Sequence, residues 1–241
     1  MIIIFYSIAP ILSAGLLFVF LKDDRVERDE GFKMSDFLNL IKNPALWLVV
    51  CITFCTYFFN MSFYYFTPYA SNIIGTSAVF AAILTVLAQY IRPLSSTAGG
   101  FLADAFGKAK IMLVGFLIMG FGVLLIMMSA FLGGFAQMAL LSAACVLVYA
   151  AMYSNFGIYY SLLSEGKIPL HLTGMAVGIV STFGYLPEVF APILAGGLLD
   201  SYEGVRGFHI YFGIMVAMSL LGAFFCRIWM KKFARKLDEN R

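Results

Sequence analysis

Gly99-Gly100-Phe101-Leu102-Ala103-Asp104-Ala105-Phe106-Gly107-Lys108-Ala109-Lys110 is a short polar stretch wedged between two apolar runs. Glycine and charge together stop one helix and start the next, so the stretch reads as a tight turn. The runs on either side, about 77–101 and 111–131, are each near the 20 apolar residues that a membrane-crossing helix requires. Five further segments qualify, at about 1–21, 45–69, 136–163, 173–199 and 208–230. The 241-residue chain is 62% apolar and only 12% charged, too apolar for a soluble core to hide. The expected fold is therefore all-α, a polytopic membrane bundle of about seven transmembrane helices with the lipid bilayer as solvent.

Turn chemistry separates the spans at Asn43-Pro44, Pro68, Gly75, Gly107 to Lys110, Gly133-Gly134, Ile168-Pro169 and Gly204 to Gly207. Fourteen of the sixteen Lys and Arg residues fall on one side of this layout, in the loops 22–44, Lys108 to Lys110 and Lys167 and in the tail from Arg227. Arg206 alone lies opposite, and Arg92 is inside a span. The bias places the tail in the cytoplasm and Met1 outside, in a multi-pass cell (inner) membrane protein. Met1 to Leu21 lacks the basic start of a signal peptide and reads as a span. The domain reading is a transmembrane helix over 1–21, a cytoplasmic linker over 22–44 with a short helix around Met34 to Ile41, a six-helix bundle over 45–230, and a basic tail over 231–241. Ala98-Gly99-Gly100 with Asp104 is echoed by Ala195-Gly196-Gly197 with Asp200, at ends of spans on opposite sides of the membrane. That echo suggests an inverted pair of three-helix units.

Polar residues at steps of three and four form seams on four spans. The second carries Thr53, Tyr57, Asn60, Tyr64 and Thr67, and the third Thr85, Gln89, Arg92, Ser96 and Gly99. The fifth carries Ser142, Tyr149, Tyr153, Phe156 and Tyr160, and the sixth Gly174, Gly178, Ser181, Tyr185, Glu188 and Pro192. The fourth and seventh are nearly all apolar, with isolated Ser129 and Ser219. Polar groups facing lipid are costly, so the four seams face a cavity or bind helices together through small residues and hydroxyls. Tyr57, Asn60, Tyr64, Tyr149 and Tyr153 are the candidates for lining a solute cavity.

Arg92 and Glu188 are the ionisable acid and base well inside spans, where charges mark pathways. Helix rise puts them roughly 15 and 24 Å from the cytoplasmic end, a gap of about 9 Å that only a stretched Arg side chain crosses. Three roles compete: a structural ion pair; Arg92 as an anion anchor with Glu188 as the proton-titrating group; and unrelated placements, including Arg92 snorkelling to the cytoplasm. The planar guanidinium suits a carboxylate or phosphate.

The four cysteines, Cys51, Cys55, Cys145 and Cys226, lie in apolar runs and read as packing residues, with no metal site and no disulfide framework. No cofactor motif is present, the small net charge of +3 gives no case for nucleic acid, and no catalytic residue is assigned. His171 and His209 lie near span ends without a second ligand or nucleophile at suitable spacing, so an intramembrane enzyme is a poor reading.

The loop Gly100, Asp104, Gly107, Lys108, Lys110 resembles the signature loop of the major facilitator superfamily, with Ala105 where that family usually has a basic residue. Arg92-Pro93, Glu165 to Pro169 leading to Thr173-Gly174, and Gly184 to Glu188 leading to Asp200 add to the likeness, which points to poorly characterised bacterial permeases of sugar-phosphate-like or nitrate-like type. The resemblance implies helices six to twelve of a twelve-helix carrier. In such a carrier the second and fifth spans line the cavity, the third and sixth flank it, and the fourth and seventh are peripheral. Its Asp would tether a neighbouring helix end. The implied function is secondary active transport of a small polar, anionic solute, by symport or antiport. The chain then reads as a fragment or truncated half whose partner is the missing N-terminal six-helix half. The alternative is a non-transporting membrane interaction or assembly protein.

Overall fold

In the computed structural model the described residues are 2–20 and 34–234. The chain divides into two units, Met1–Asp36 and Phe37–Arg241. In the first unit lies α1, Ile2–Phe20, a mostly apolar helix. Residues 21–33 of the expected linker, and 235–241 of the tail, lie outside the described residues. The linker's short helix is α2, Met34–Lys42.

Six helical segments of the second unit are long and apolar enough to cross a membrane: Pro44–Asn72, Ala78–Phe106, Lys108–Ser129, Gly134–Glu165, Leu170–Ser201 and Val205–Phe233. The first contains α3, Pro44–Ser62, and α4, Phe66–Asn72, joined by a 3-10 turn at Phe63–Tyr65. Asn43 caps α3 by accepting the Ala45 N–H at 2.9 Å, and Pro44 at the first helical position has no N–H to satisfy. Pro68, read as a break, instead lies inside α4, where a first-turn proline costs no hydrogen bond.

The next two spans are α5, Ala78–Phe106, and α6, Lys108–Ser129, with Gly107 alone between them. Gly107 has φ +97°, a value that a side chain disfavours, which is how the chain reverses in one residue. The fourth span is α7, Gly134–Ile158, a 3-10 turn at Tyr159–Ser161, and α8, Leu162–Glu165. The fifth is broken at Tyr185–Leu186 into α9, Thr173–Gly184, and α10, Pro187–Ser201, and the sixth is α11, Val205–Trp229.

α5 packs on α7, α6 on α7, and α5 on α6; likewise α9 and α10 pack on α3, α11 on α3, and α10 on α11. Exchanging α3, α5 and α6 for α7, the α9–α10 span and α11 maps these neighbours onto one another, and α6 against α11 forms the back seam. Ser219, isolated in an apolar span, is the fastener of that back seam. It is fully buried and donates across to the Phe116 carbonyl at 2.8 Å. The first span is the most enclosed of the six, whereas α5 and the α9–α10 span are the least.

Candidate functional site

The side chains around Arg92 arise from three helix interruptions and one proline. The 3-10 turn at Phe63–Tyr65 turns Tyr64 outward, 48% exposed and stacked on Phe63 with ring centroids 4.1 Å apart. The turn at Tyr159–Ser161 and the break at Tyr185–Leu186 bring three phenols together. Tyr185 Oη lies 3.0 Å from Tyr159 Oη and 2.9 Å from Tyr160 Oη, and Tyr160 Oη lies 2.7 Å from Ser181 Oγ. Arg92 precedes Pro93, which lies inside α5. Thr97 Oγ1 and Ser96 Oγ donate to the Pro93 carbonyl at 2.8 and 3.2 Å.

Arg92 is exposed, with its guanidinium carbon 5.5 Å from the centre of the Tyr153 ring, a cation–π distance. From Tyr153 a line of aromatic rings crosses three helices. Tyr153 lies 6.1 Å from Phe156, Phe156 lies 5.7 Å from Tyr57, and Tyr57 stacks on Tyr185 at 4.1 Å with planes 18° apart. Glu188, also exposed, follows one turn after Tyr185, its N–H bonded to the Tyr185 carbonyl at 2.9 Å. No ion pair joins Arg92 to Glu188, and neither pairs with another described residue.

Tyr57, within this line, and Asn60 are half-buried. Tyr149 is placed differently: it is fully enclosed, its ring 5.4 Å from Phe63 and 6.1 Å from Phe66. Its hydroxyl has no hydrogen-bond partner among the described residues. Tyr153 is also buried, but beneath Arg92. Phe156, Tyr159, Tyr160, Ser181 and Tyr185 belong to the same surface and were not among the expected site residues. Four of them lay on the sequence seams, but only the chain breaks make their hydroxyls converge.

Other seam residues act as helix glue. Thr67 and Thr85 share a short hydroxyl hydrogen bond between α4 and α5. Gly99 lies against Ser154, and a methyl group at Gly157 would come within 2.6 Å of the Ser96 carbonyl. In the signature stretch, Lys108 reaches back from the start of α6 and donates to the Ser161 carbonyl at 3.1 Å. Gly100 has open space around it, Asp104 and Lys110 are exposed, and Asp104 has no partner among the described residues. At the opposite end of the bundle His209 Nε2 lies 3.2 Å from Tyr69 Oη, so this imidazole joins α11 to α4.

Comparison with known proteins agrees with the fold. The model of the Major Facilitator Superfamily matches residues 2–187. The inner membrane protein YihN of Escherichia coli (strain K12) is 25% identical over 98% of this chain and 58% of its own length. The inner membrane protein YqcE of the same strain is 24% identical over 92% of this chain and 53% of its own length. The probable nitrate transporter NarT of Staphylococcus haemolyticus (strain JCSC1435) is 27% identical over 78% of this chain and 47% of its own length. The chain thus spans about half the length of the curated relatives it matches. With most of its residues inside the family model, the chain belongs to the Major Facilitator Superfamily.

Proposed function

We propose that this bundle takes part in secondary active transport of a small polar anion, with Arg92 as the anion anchor. The observation that carries this is the state of Arg92 itself: a guanidinium held over the Tyr153 ring, exposed, and paired with no described carboxylate. A cation in a membrane span is costly, and it is retained where a ligand supplies the missing charge. Tyr57, Asn60 and Tyr64 add polar contacts beside it. Tyr149 supports the surface from behind through Phe63 and Phe66. Glu188, unpaired with Arg92, is the group that takes up and releases a proton as transport proceeds.

The surface is completed by a second six-helix bundle, supplied by the same polypeptide or by another, because alternating access is the rocking of two bundles about a shared site. The low enclosure of α5 and of the α9–α10 span supports this, since both flank the aromatic line. The concentration of Lys and Arg at one end supports a bacterial inner-membrane placement with the tail in the cytoplasm. The relatives' printed names, two inner membrane proteins and a probable nitrate transporter, favour the same location and cargo class.

The test is uptake into proteoliposomes holding the full-length gene product, with nitrate and gluconate as probes and an imposed pH gradient. Arg92→Ala should abolish uptake of whichever anion the wild type accepts, and Arg92→Lys should restore part of it. Glu188→Gln should remove the response to the gradient. Uptake and pH response that survive both changes would show that Arg92 does not anchor the anion and that Glu188 does not carry the proton.

A further inference from the structure

The nine residues of α2, Met34–Lys42, divide by helical angle into an apolar and a polar side. At about 100° per residue, Leu40, Phe37, Ile41, Met34 and Leu38 follow one another round an arc of about 160°. Lys42, Ser35, Asn39 and Asp36 fill the rest. The bundle covers one edge of the apolar arc. Leu40 is buried, Phe37 and Ile41 are half-buried, and Leu38, at the far edge beside Lys42, is 49% exposed. The end of the helix is held to the first span of the bundle. The Asn43 N–H donates to the Leu40 carbonyl at 3.0 Å, and the Trp47 indole N–H donates to the Ile41 carbonyl at 2.7 Å. Trp47 is itself exposed, in the first turn of α3, with its ring 5.4 Å from that of Phe183.

We propose that α2 is an interfacial helix that docks on the bilayer surface, with its Leu38 edge at the acyl boundary and Lys42 at anionic lipid phosphates. The surface includes neither Arg92 nor the aromatic line, so the inference stands apart from the transport reading. Three observations favour lipid as the occupant. An apolar arc wider than the protein covers, bordered by a basic residue and backed by a polar face, suits a helix lying in the plane of a membrane interface. The long Lys42 stem lets its ammonium reach the headgroups from that border. Only Asn43 separates α2 from Pro44, the start of a membrane span, so the helix lies where that span meets the headgroups, and Trp47 beside it is a residue type favoured at that level. Last-turn carbonyls have no partner within their helix and are costly where water is scarce, and those of Leu40 and Ile41 are already taken by Asn43 and Trp47. A small apolar edge binds a free surface poorly, but α2 is tethered to a span, so little burial is required to seat it.

The experiment measures the depth of a nitroxide label in the full-length gene product held in lipid nanodiscs. Leu38 and, separately, Asn39 are replaced by p-acetylphenylalanine bearing the label, which leaves native cysteines in place. At position 38 the label should collide with dissolved oxygen in preference to a water-soluble nickel chelate, and at position 39 the order should reverse. In discs containing phosphatidylglycerol, Lys42→Gln should lower the oxygen-to-nickel ratio at position 38 by up to about 5-fold, the share of one basic side chain at an anionic surface. In phosphatidylcholine discs the same change should leave the ratio as it is. A label at position 38 as open to nickel as the one at position 39 puts the helix in water and overturns the proposal. A label at position 38 shielded from both reagents means that protein covers the face, a second bundle or a second copy of this chain, and overturns it equally. A ratio unmoved by Lys42→Gln in phosphatidylglycerol discs overturns the phosphate contact.

Discussion

The Tyr57 ring stacks on the Tyr185 ring with centroids 4.1 Å apart and planes 18° apart. This one contact ties α3 to the break between α9 and α10. The Tyr185 hydroxyl carries the connection on to Tyr159 and Tyr160 in the break after α7. One side chain thus joins α3 to two chain breaks. Tyr185→Phe keeps the stack and removes the shared hydroxyl, so it should cost about 1–2 kcal/mol of stability through the two lost hydrogen bonds. Tyr185→Ala loses the ring as well and should cost more. Denaturation of the two variants in detergent separates the contributions, and a Phe variant as stable as wild type would show that the hydroxyl cluster contributes nothing.

Gly157 is a point of close approach between α5 and α7. Its missing side chain leaves room for the Ser96 carbonyl, which a methyl group would meet at 2.6 Å. Gly157→Ala should therefore force these helices apart at a cost of about 1–3 kcal/mol. Gly100→Ala, with open space around it, serves as the control and should be neutral or slightly stabilising. Melting temperatures of the two variants check this, and equal values would place the close approach elsewhere.

Lys108 and Lys110 differ in what they touch. Lys108 donates to the Ser161 carbonyl, at the end of the turn that presents Tyr159 and Tyr160, while Lys110 is exposed. Lys108→Met should loosen that turn and raise hydrogen exchange at residues 159–165, with a loss of about 1–2 kcal/mol. Lys110→Met should leave exchange there unchanged. Equal effects from both would mean that charge, and not the contact, matters in this loop.

Ser219→Ala removes the hydrogen bond to the Phe116 carbonyl and leaves that buried acceptor without this partner. A destabilisation of about 1 kcal/mol is expected, at the low end for hydrogen bonds inside membrane bundles. Ser142→Ala is the control, because the Ser142 hydroxyl only returns to the Met138 carbonyl of its own helix. Thermal unfolding of the two variants decides the point.

The six spans, the break at Asn43-Pro44 and the turn at Gly107 to Lys110 were legible in the amino-acid order. Each follows from local chemistry: apolar length against bilayer thickness, glycine's access to positive φ, and a side-chain oxygen beside free N–H groups. Seam positions at steps of three and four also marked which helix faces are polar, since helical periodicity is a property of sequence alone. The tertiary structure decided what those faces do. Thr67, Thr85, Gly99 and Gly157 join helices, Tyr149 is sealed in the core, and Arg92 lies over the Tyr153 ring with no ion pair to Glu188. Periodicity fixes the direction of a side chain around its own helix axis. It does not fix the rotation and break of one helix against the next, and it is those breaks, at Phe63–Tyr65, Tyr159–Ser161 and Tyr185–Leu186, that bring the phenols together.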